Sequence, residues 1–120
     1  MAQFINPWVV KLDGTLTGRE LARALRQSIS AEEEAVHLYE AYADATEDPL
    51  AKQVFQDVAD EEKVHVGEFQ AVLNRLQPDE SSWLQDGMEE VEEMAATEEA
   101  RVANELVRLA KALLAGGPET

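Results

Sequence analysis

The sequence predicts an all-α chain: an antiparallel two-helix hairpin followed by a C-terminal helix. Three observations predict it. Apolar residues recur every three or four positions through three long segments. Strong helix-boundary signals separate those segments. No stretch alternates with the period of a strand.

Residues 1–16 read as an extended arm, because Pro7 stops a helix there and Asp13-Gly14 marks a turn. Thr17, with Glu20 three residues on, forms a capping box that opens the first helix, expected over about 18–46. Thr46-Glu47-Asp48-Pro49 breaks it, since proline disfavours helix at the residue before it. Asp48 can then cap a second helix with Pro49 in its first turn, running to about Leu76. Gln77-Pro78-Asp79 ends that helix. Ser81-Ser82 and Gly87 bracket a short linker containing Trp83, so regular helix is expected again from about 86 to 115, where Gly116-Gly117-Pro118 closes it. The organisation is an arm at 1–16, a hairpin at 17–78, an acidic C-terminal helix at 79–115 and a tail at 116–120.

A chain of 120 residues makes one domain and cannot bury a large core alone, so self-association is expected. The absence of cysteine excludes disulfides, cysteine zinc sites and thiol chemistry, and fits a reducing cytoplasmic setting. A net charge of −15 repels phosphate backbones and anionic lipid, so neither nucleic acid nor a membrane surface is an expected partner. Much of this charge simply keeps the protein soluble. No apolar run reaches the length of a membrane span, about 18 residues. Met1 to Leu12 lacks the basic start and small-residue cleavage site of a signal peptide. The last helix carries ten acidic residues and one basic residue between Asp79 and Glu105, behind an apolar stripe that needs cover.

The chemistry lies in the hairpin. At about 100° per residue, Leu21, Leu25, Ile29, Val36, Tyr39 and Ala43 fall within about 60° of Glu32. Glu32 therefore sits in the middle of an apolar stripe. On the second helix the residues around Glu62 are just as apolar, from Ala51 and Phe55 through Phe69 to Leu73, and His65 shares that face. Glu62-Lys63-Val64-His65 is a Glu-x-x-His motif. Glu32 and Glu62 each lie about 15 residues from the turn, or about 22 Å at a helical rise, so the hairpin brings them to one level. Buried carboxylates must be paired, protonated or metal-bound, and no lysine or arginine shares these stripes. Two carboxylates with an imidazole suit iron or manganese. A four-helix di-iron bundle uses a Glu from each of two helices and a Glu-x-x-His from each of the other two. This chain offers one of each. The other histidine, His37, lies about 140° from Glu32 on the first helix and reads as a surface residue. A second copy of the chain, related by a two-fold, would complete the bundle.

These residues resemble the encapsulated ferritins, a branch of the ferritin-like family, and most of all the ferritin-like domain fused to certain archaeal encapsulin shell proteins. The likeness covers about residues 4 to 95. It is carried by Ile5-Asn6-Pro7, Ala31-Glu32, Ala35, Leu38-Tyr39-Glu40, Glu47-Asp48, the run from Asp57 to Phe69, Gly87 and Glu89-Glu90-Val91. The resemblance implies a ferritin-like four-helix bundle formed only on dimerisation. It implies a ferroxidase centre shared by two chains, with Glu32, Glu62 and His65 as iron ligands, Tyr39 beside the iron and an acidic entry site near Glu34. It also implies an annular decamer built from dimers and delivery of ferric product to a surrounding encapsulin nanocompartment. Two departures stand out. Ala31 replaces one of two acids common in the entry turn, and Leu113-Leu114-Ala115-Gly116-Gly117 does not match the usual encapsulin-docking peptide.

The function expected is therefore oxidation of Fe(II) to Fe(III) at an intersubunit di-iron centre, for iron storage or detoxification as encapsulin cargo. Two rivals keep parts of the pattern. A di-iron or di-manganese peroxidase or catalase of the rubrerythrin type would use the same ligands. A metal-free helical scaffold would pair its buried acids with a partner.

Overall fold

The computed structural model describes residues 14–116, so the predicted arm and tail fall almost wholly outside it. The described chain is three α-helices: α1 at Gly18–Ala45, α2 at Pro49–Leu76 and α3 at Glu80–Ala115. No strand occurs among the described residues.

Local chemistry sets the hairpin's ends. The Glu20 backbone N–H donates to Thr17 Oγ1 at 3.2 Å, and the Thr17 N–H donates back to Glu20 Oε2 at 3.3 Å. This reciprocal box satisfies two otherwise unpaired donors at the start of α1. Thr46 is the C-cap. Its Oγ1 accepts from the Asp48 N–H at 3.2 Å, and Asp48 Oδ1 accepts from the Leu50 N–H at 3.1 Å. Two linked side-chain caps therefore turn the chain between Ala45 and Pro49, with Pro49 at the start of α2, where its missing N–H costs nothing.

The two apolar stripes face each other. Ala22, Leu25 and Leu73 are buried, and Leu21, Ile29 and Phe69 pack against them at the end of the hairpin away from the turn. Toward the turn, the Phe55 ring stacks on Tyr39 with centroids 6.4 Å apart and meets Tyr42 at 5.4 Å. Val36, Ala43 and Ala59 complete the buried seam. Across the helices, Lys63 Nζ lies 3.0 Å from Glu40 Oε1, and within α2 it lies 3.3 Å from Asp60 Oδ1. These two acids, Glu40 first, raise the Lys63 pKa.

The start of α3 departs from expectation. Helix begins at Glu80 rather than near 86, so Ser81, Ser82, Trp83 and Gly87 are helical and form no linker. Serine is tolerated in a first turn, where N–H groups lack helical acceptors. Trp83 Nε1 donates back to Asp79 Oδ2 at 3.3 Å, four residues earlier. Gly87 lies in open space, and a lone interior glycine costs about 1 kcal/mol against alanine, too little to interrupt a 36-residue helix. Every residue from Ser81 to Gly116 is exposed. Arg101 grips Glu98, and Arg108 grips Glu105, each through Nη2 at 2.6 Å and Nε at 3.0 Å. Each pair holds its glutamate below the usual carboxylate pKa and raises its arginine.

Candidate metal centre

Between the apolar plug at the open end and the aromatic cluster near the turn lies one polar group of side chains. Glu32 comes from α1, and Glu62 and His65 from α2. His65 Nδ1 is 3.4 Å from Glu62 Oε2 and 3.5 Å from Glu32 Oε1. One ligand atom from each residue lies within 4.8 Å of the other two. Among the described residues no other set of His, Asp or Glu converges this closely.

The placement follows from the caps. The three-residue turn fixes how far each helix has risen when it reaches the site, and the facing stripes fix its rotation. Glu62 and His65, three apart, then project on one side of α2. The Glu32 and Glu62 side chains are only 19% and 18% exposed, whereas His65 is 42% exposed. Two carboxylates are thus drawn largely out of water and held close, where like charges repel. His65 Nδ1 is the polar atom that both carboxylates approach.

A cation answers this arrangement better. Oxygen and nitrogen bonds to a first-row divalent ion run about 2.1 Å, so ligand atoms across it lie up to about 4.2 Å apart. The observed spread closes onto such an ion with small side-chain movements. Two oxygens and one imidazole nitrogen make a hard-to-borderline donor set that fits iron or manganese, with coordination positions left over.

Tyr39 and Glu34 are not among the three converging side chains. Tyr39 is half-buried on the turn side, stacked on Phe55. Glu34 is exposed, as is His37. The sequence places no lysine on the buried stripes, yet Lys63 ties α2 to Glu40 of α1 beside them. A signal was available: Lys63 lies about 100° from Glu62 and Glu40 about 80° from Glu32, in the same rotational sense, so both reach the same edge of the hairpin.

Residues 23–114 match the Rubrerythrin family. The chain belongs to the rubrerythrin-type, ferritin-like family. It is 44% identical over 94 residues to a ferritin-like-encapsulin shell fusion protein of Pyrococcus furiosus, covering 78% of this chain and 27% of that one. It is 37% identical over 84 residues to the encapsulin nanocompartment cargo protein EncC of Myxococcus xanthus, covering 70% of this chain and 65% of that one. The chain thus spans about a quarter of the first relative and just under two thirds of the second. Among solved structures, the encapsulated ferritin domain of Pyrococcus furiosus superposes with a TM-score of 0.68 at 43% identity, over 77% of this chain and 94% of that one. The all-α, ferritin-like architecture and the kinship with encapsulated ferritins both stand on this match. No helix among the described residues is long and apolar enough to cross a membrane.

Proposed function

We propose that the protein is a ferroxidase whose site is completed by a second copy of itself. The observation that carries this is the half-buried Glu32–Glu62–His65 group, within 4.8 Å, in a chain of the ferritin-like family. It holds half of the ligands that a di-iron bundle uses.

The hairpin's surface supports the two-fold completion. Viewed down α1, the edge on the same rotational side as His65 carries Ala24, Ser28, Ala31, Ala35, Leu38 and Tyr42, with no charge. Val54 and Val72 of α2 lie on this side too, 52% and 46% exposed, with the exposed Glu61 and Glu68 between them. The opposite edge carries Glu33, Glu40 and Asp44. An α1 edge that carries no charge from Ala24 to Tyr42, beside a half-set of ligands, suits an isologous contact, which brings the same half-set from the other chain.

In the proposed reaction two Fe(II) ions are the substrate. Glu62 of each chain chelates, Glu32 of each bridges and His65 caps. Each Fe(II) gives up one electron, and the pair reduces dioxygen, with two protons, to hydrogen peroxide; the ferric product then leaves. The protein supplies ligand geometry, open coordination positions and a surround that keeps bulk water away. Tyr39 is proposed to lie beside the bound iron and Glu34 to attract incoming cations at the surface. The names of both relatives support a further step: the protein works as cargo inside a shell of encapsulin-type protein. Assembly as a ring of dimers is part of the same proposal.

Anaerobic Fe(II) loading followed by air tests the chemistry. Wild-type protein is expected to develop ferric absorbance at least tenfold faster than Glu32→Ala; equal rates would sink the proposal. The family's name favours one rival, peroxide as oxidant. Adding hydrogen peroxide anaerobically in place of air separates the two: the faster oxidant identifies the reaction class. Co-expression with an encapsulin shell protein, followed by particle purification, tests the cargo role, which fails if the chain stays outside.

A further inference from the structure

Charge along α1 is sorted in the order that least suits a helix. From Gly18 to Ser30 it carries Arg19, Arg23 and Arg26 against Glu20 alone; from Ala31 to Ala45 it carries five acids and neither lysine nor arginine. The backbone dipole of a helix favours acids at its start and bases at its end, so this order works against stability. Taking Arg23 as reference, Arg19 and Arg26 fall within an arc of about 60°. Arg19 and Arg23 are four residues apart, and Arg23 and Arg26 three, the spacings at which like charges on a helix repel.

The three arginines share one groove. Arg19, Ala22, Arg23 and Arg26 of α1, with Gln77 at the C-cap of α2, line a space of about 440 Å³ at the open end of the hairpin. All three arginines are exposed. Three of the chain's ten basic residues thus gather in one place on a protein of net charge −15, which makes the groove a positive spot in a negative field. Its lining holds no acid, no aromatic ring and no aliphatic side chain larger than alanine. Arg23 and Arg26 already make interactions within the structure, and with five N–H donors a guanidinium can keep one partner and take another.

We propose that this groove binds an inorganic oxyanion of the phosphate class. The planar fork of a guanidinium offers paired N–H donors that match phosphate oxygens, and a dianion relieves the repulsion among the three arginines. The Gln77 carboxamide adds a neutral donor. A nucleoside ring would find no aromatic wall to stack on, which favours the free anion over a nucleotide. Arg23 lies about 180° round α1 from Glu32, so the groove is separate from the metal group in the seam.

Isothermal titration calorimetry of sodium phosphate into metal-free, full-length protein tests this, at low ionic strength because salt screens exposed charge. Saturable binding of about one phosphate per chain is expected. Arg23→Gln/Arg26→Gln should weaken it at least tenfold. Arg23→Lys/Arg26→Lys should weaken it less, since the charge stays and the fork is lost. Arg101→Gln/Arg108→Gln removes the same charge from α3 and should change the affinity less than twofold. Equal weakening by the two glutamine pairs would reduce the effect to general charge and overturn the proposal, as would a wild-type protein that shows no saturable binding. Adenosine monophosphate is expected to bind no tighter than phosphate; a complex tenfold tighter would overturn the assignment to a free anion. Circular dichroism checks that every variant keeps its helices. Glu32→Ala should bind phosphate as the wild type does, so failure of this site and failure of the ferroxidase reading give different results.

Discussion

The hairpin and α3 carry the same kind of amphipathic pattern and use it differently. In α1 and α2 the stripes meet within the chain, and Leu73 and Ala59 lose all exposure. In α3 the stripe is longer and stays exposed from Leu84 to Leu113. The hairpin interrupts its seam with two carboxylates and an imidazole, while α3 keeps its acids off the stripe, with Glu98 and Glu99 flanking it on either side. Amphipathicity alone therefore does not say where a helix finds its cover. Polar residues inside a stripe mark a place where something other than a side chain is expected, whereas an unbroken stripe on a lone helix asks for another helix.

The sharpest way to break this contrast is to remove a polar member of the seam. Glu62→Ala is expected to lower the rate of iron oxidation by a hundredfold or more, measured by stopped-flow ferric absorbance. In metal-free protein the same change should hold or raise the melting temperature, since one of two facing, half-buried carboxylates is gone. A large fall in metal-free stability would show that these acids are structural.

Next in size come apolar truncations. Leu73→Ala, at a fully buried position, is expected to cost about 2–5 kcal/mol in denaturant unfolding. Leu113→Ala, at a position 80% exposed, should stay within about 0.5 kcal/mol at concentrations low enough to separate chains. A growing penalty for Leu113→Ala as concentration rises would sharpen the contrast, because the stripe would then be buried by association.

The caps give a smaller effect. Thr17→Ala and Asp48→Ala should each cost about 1 kcal/mol, because each side chain accepts from a backbone N–H at a helix start. Asp79 makes no such bond at the start of α3, so Asp79→Ala should change thermal stability little.

The smallest effect is a pH dependence confined to α3. Arg101 and Arg108 lower the pKa of Glu98 and Glu105 in the folded helix. A depressed carboxylate pKa contributes stability above the unfolded value, near 4.3, and loses it as pH falls through the folded value. Helicity followed by circular dichroism should therefore fall slightly in acid below about pH 4, and that acid step should weaken in Arg101→Ala/Arg108→Ala.

Much of the hairpin was legible in the sequence because its signals are local. Thr17 with Glu20, and Asp48 with Pro49, set the helix starts to the residue, and α1 ended one residue short of expectation. The convergence of Glu32, Glu62 and His65 was legible because rotation and rise in a hairpin follow from counting. The start of α3 was not, since Ser81, Ser82 and Gly87 weaken a helix without forbidding it, and a long helix absorbs the cost. The Lys63–Glu40 bridge was missed because a long, flexible side chain reaches well beyond its own position. Tyr39 belonged to the expected site, yet its ring rests on Phe55, a contact that depends on rotamers rather than spacing.

The proposed division of the site between two chains has a consequence for inheritance. If each centre needs both partners, a defective chain disables every wild-type chain it joins. In an equal mixture of wild-type and Glu62→Ala chains, random pairing leaves roughly a quarter of the centres with both halves intact. A lesion in one gene copy would then remove far more than half the activity, and the ligand residues would behave as dominant positions.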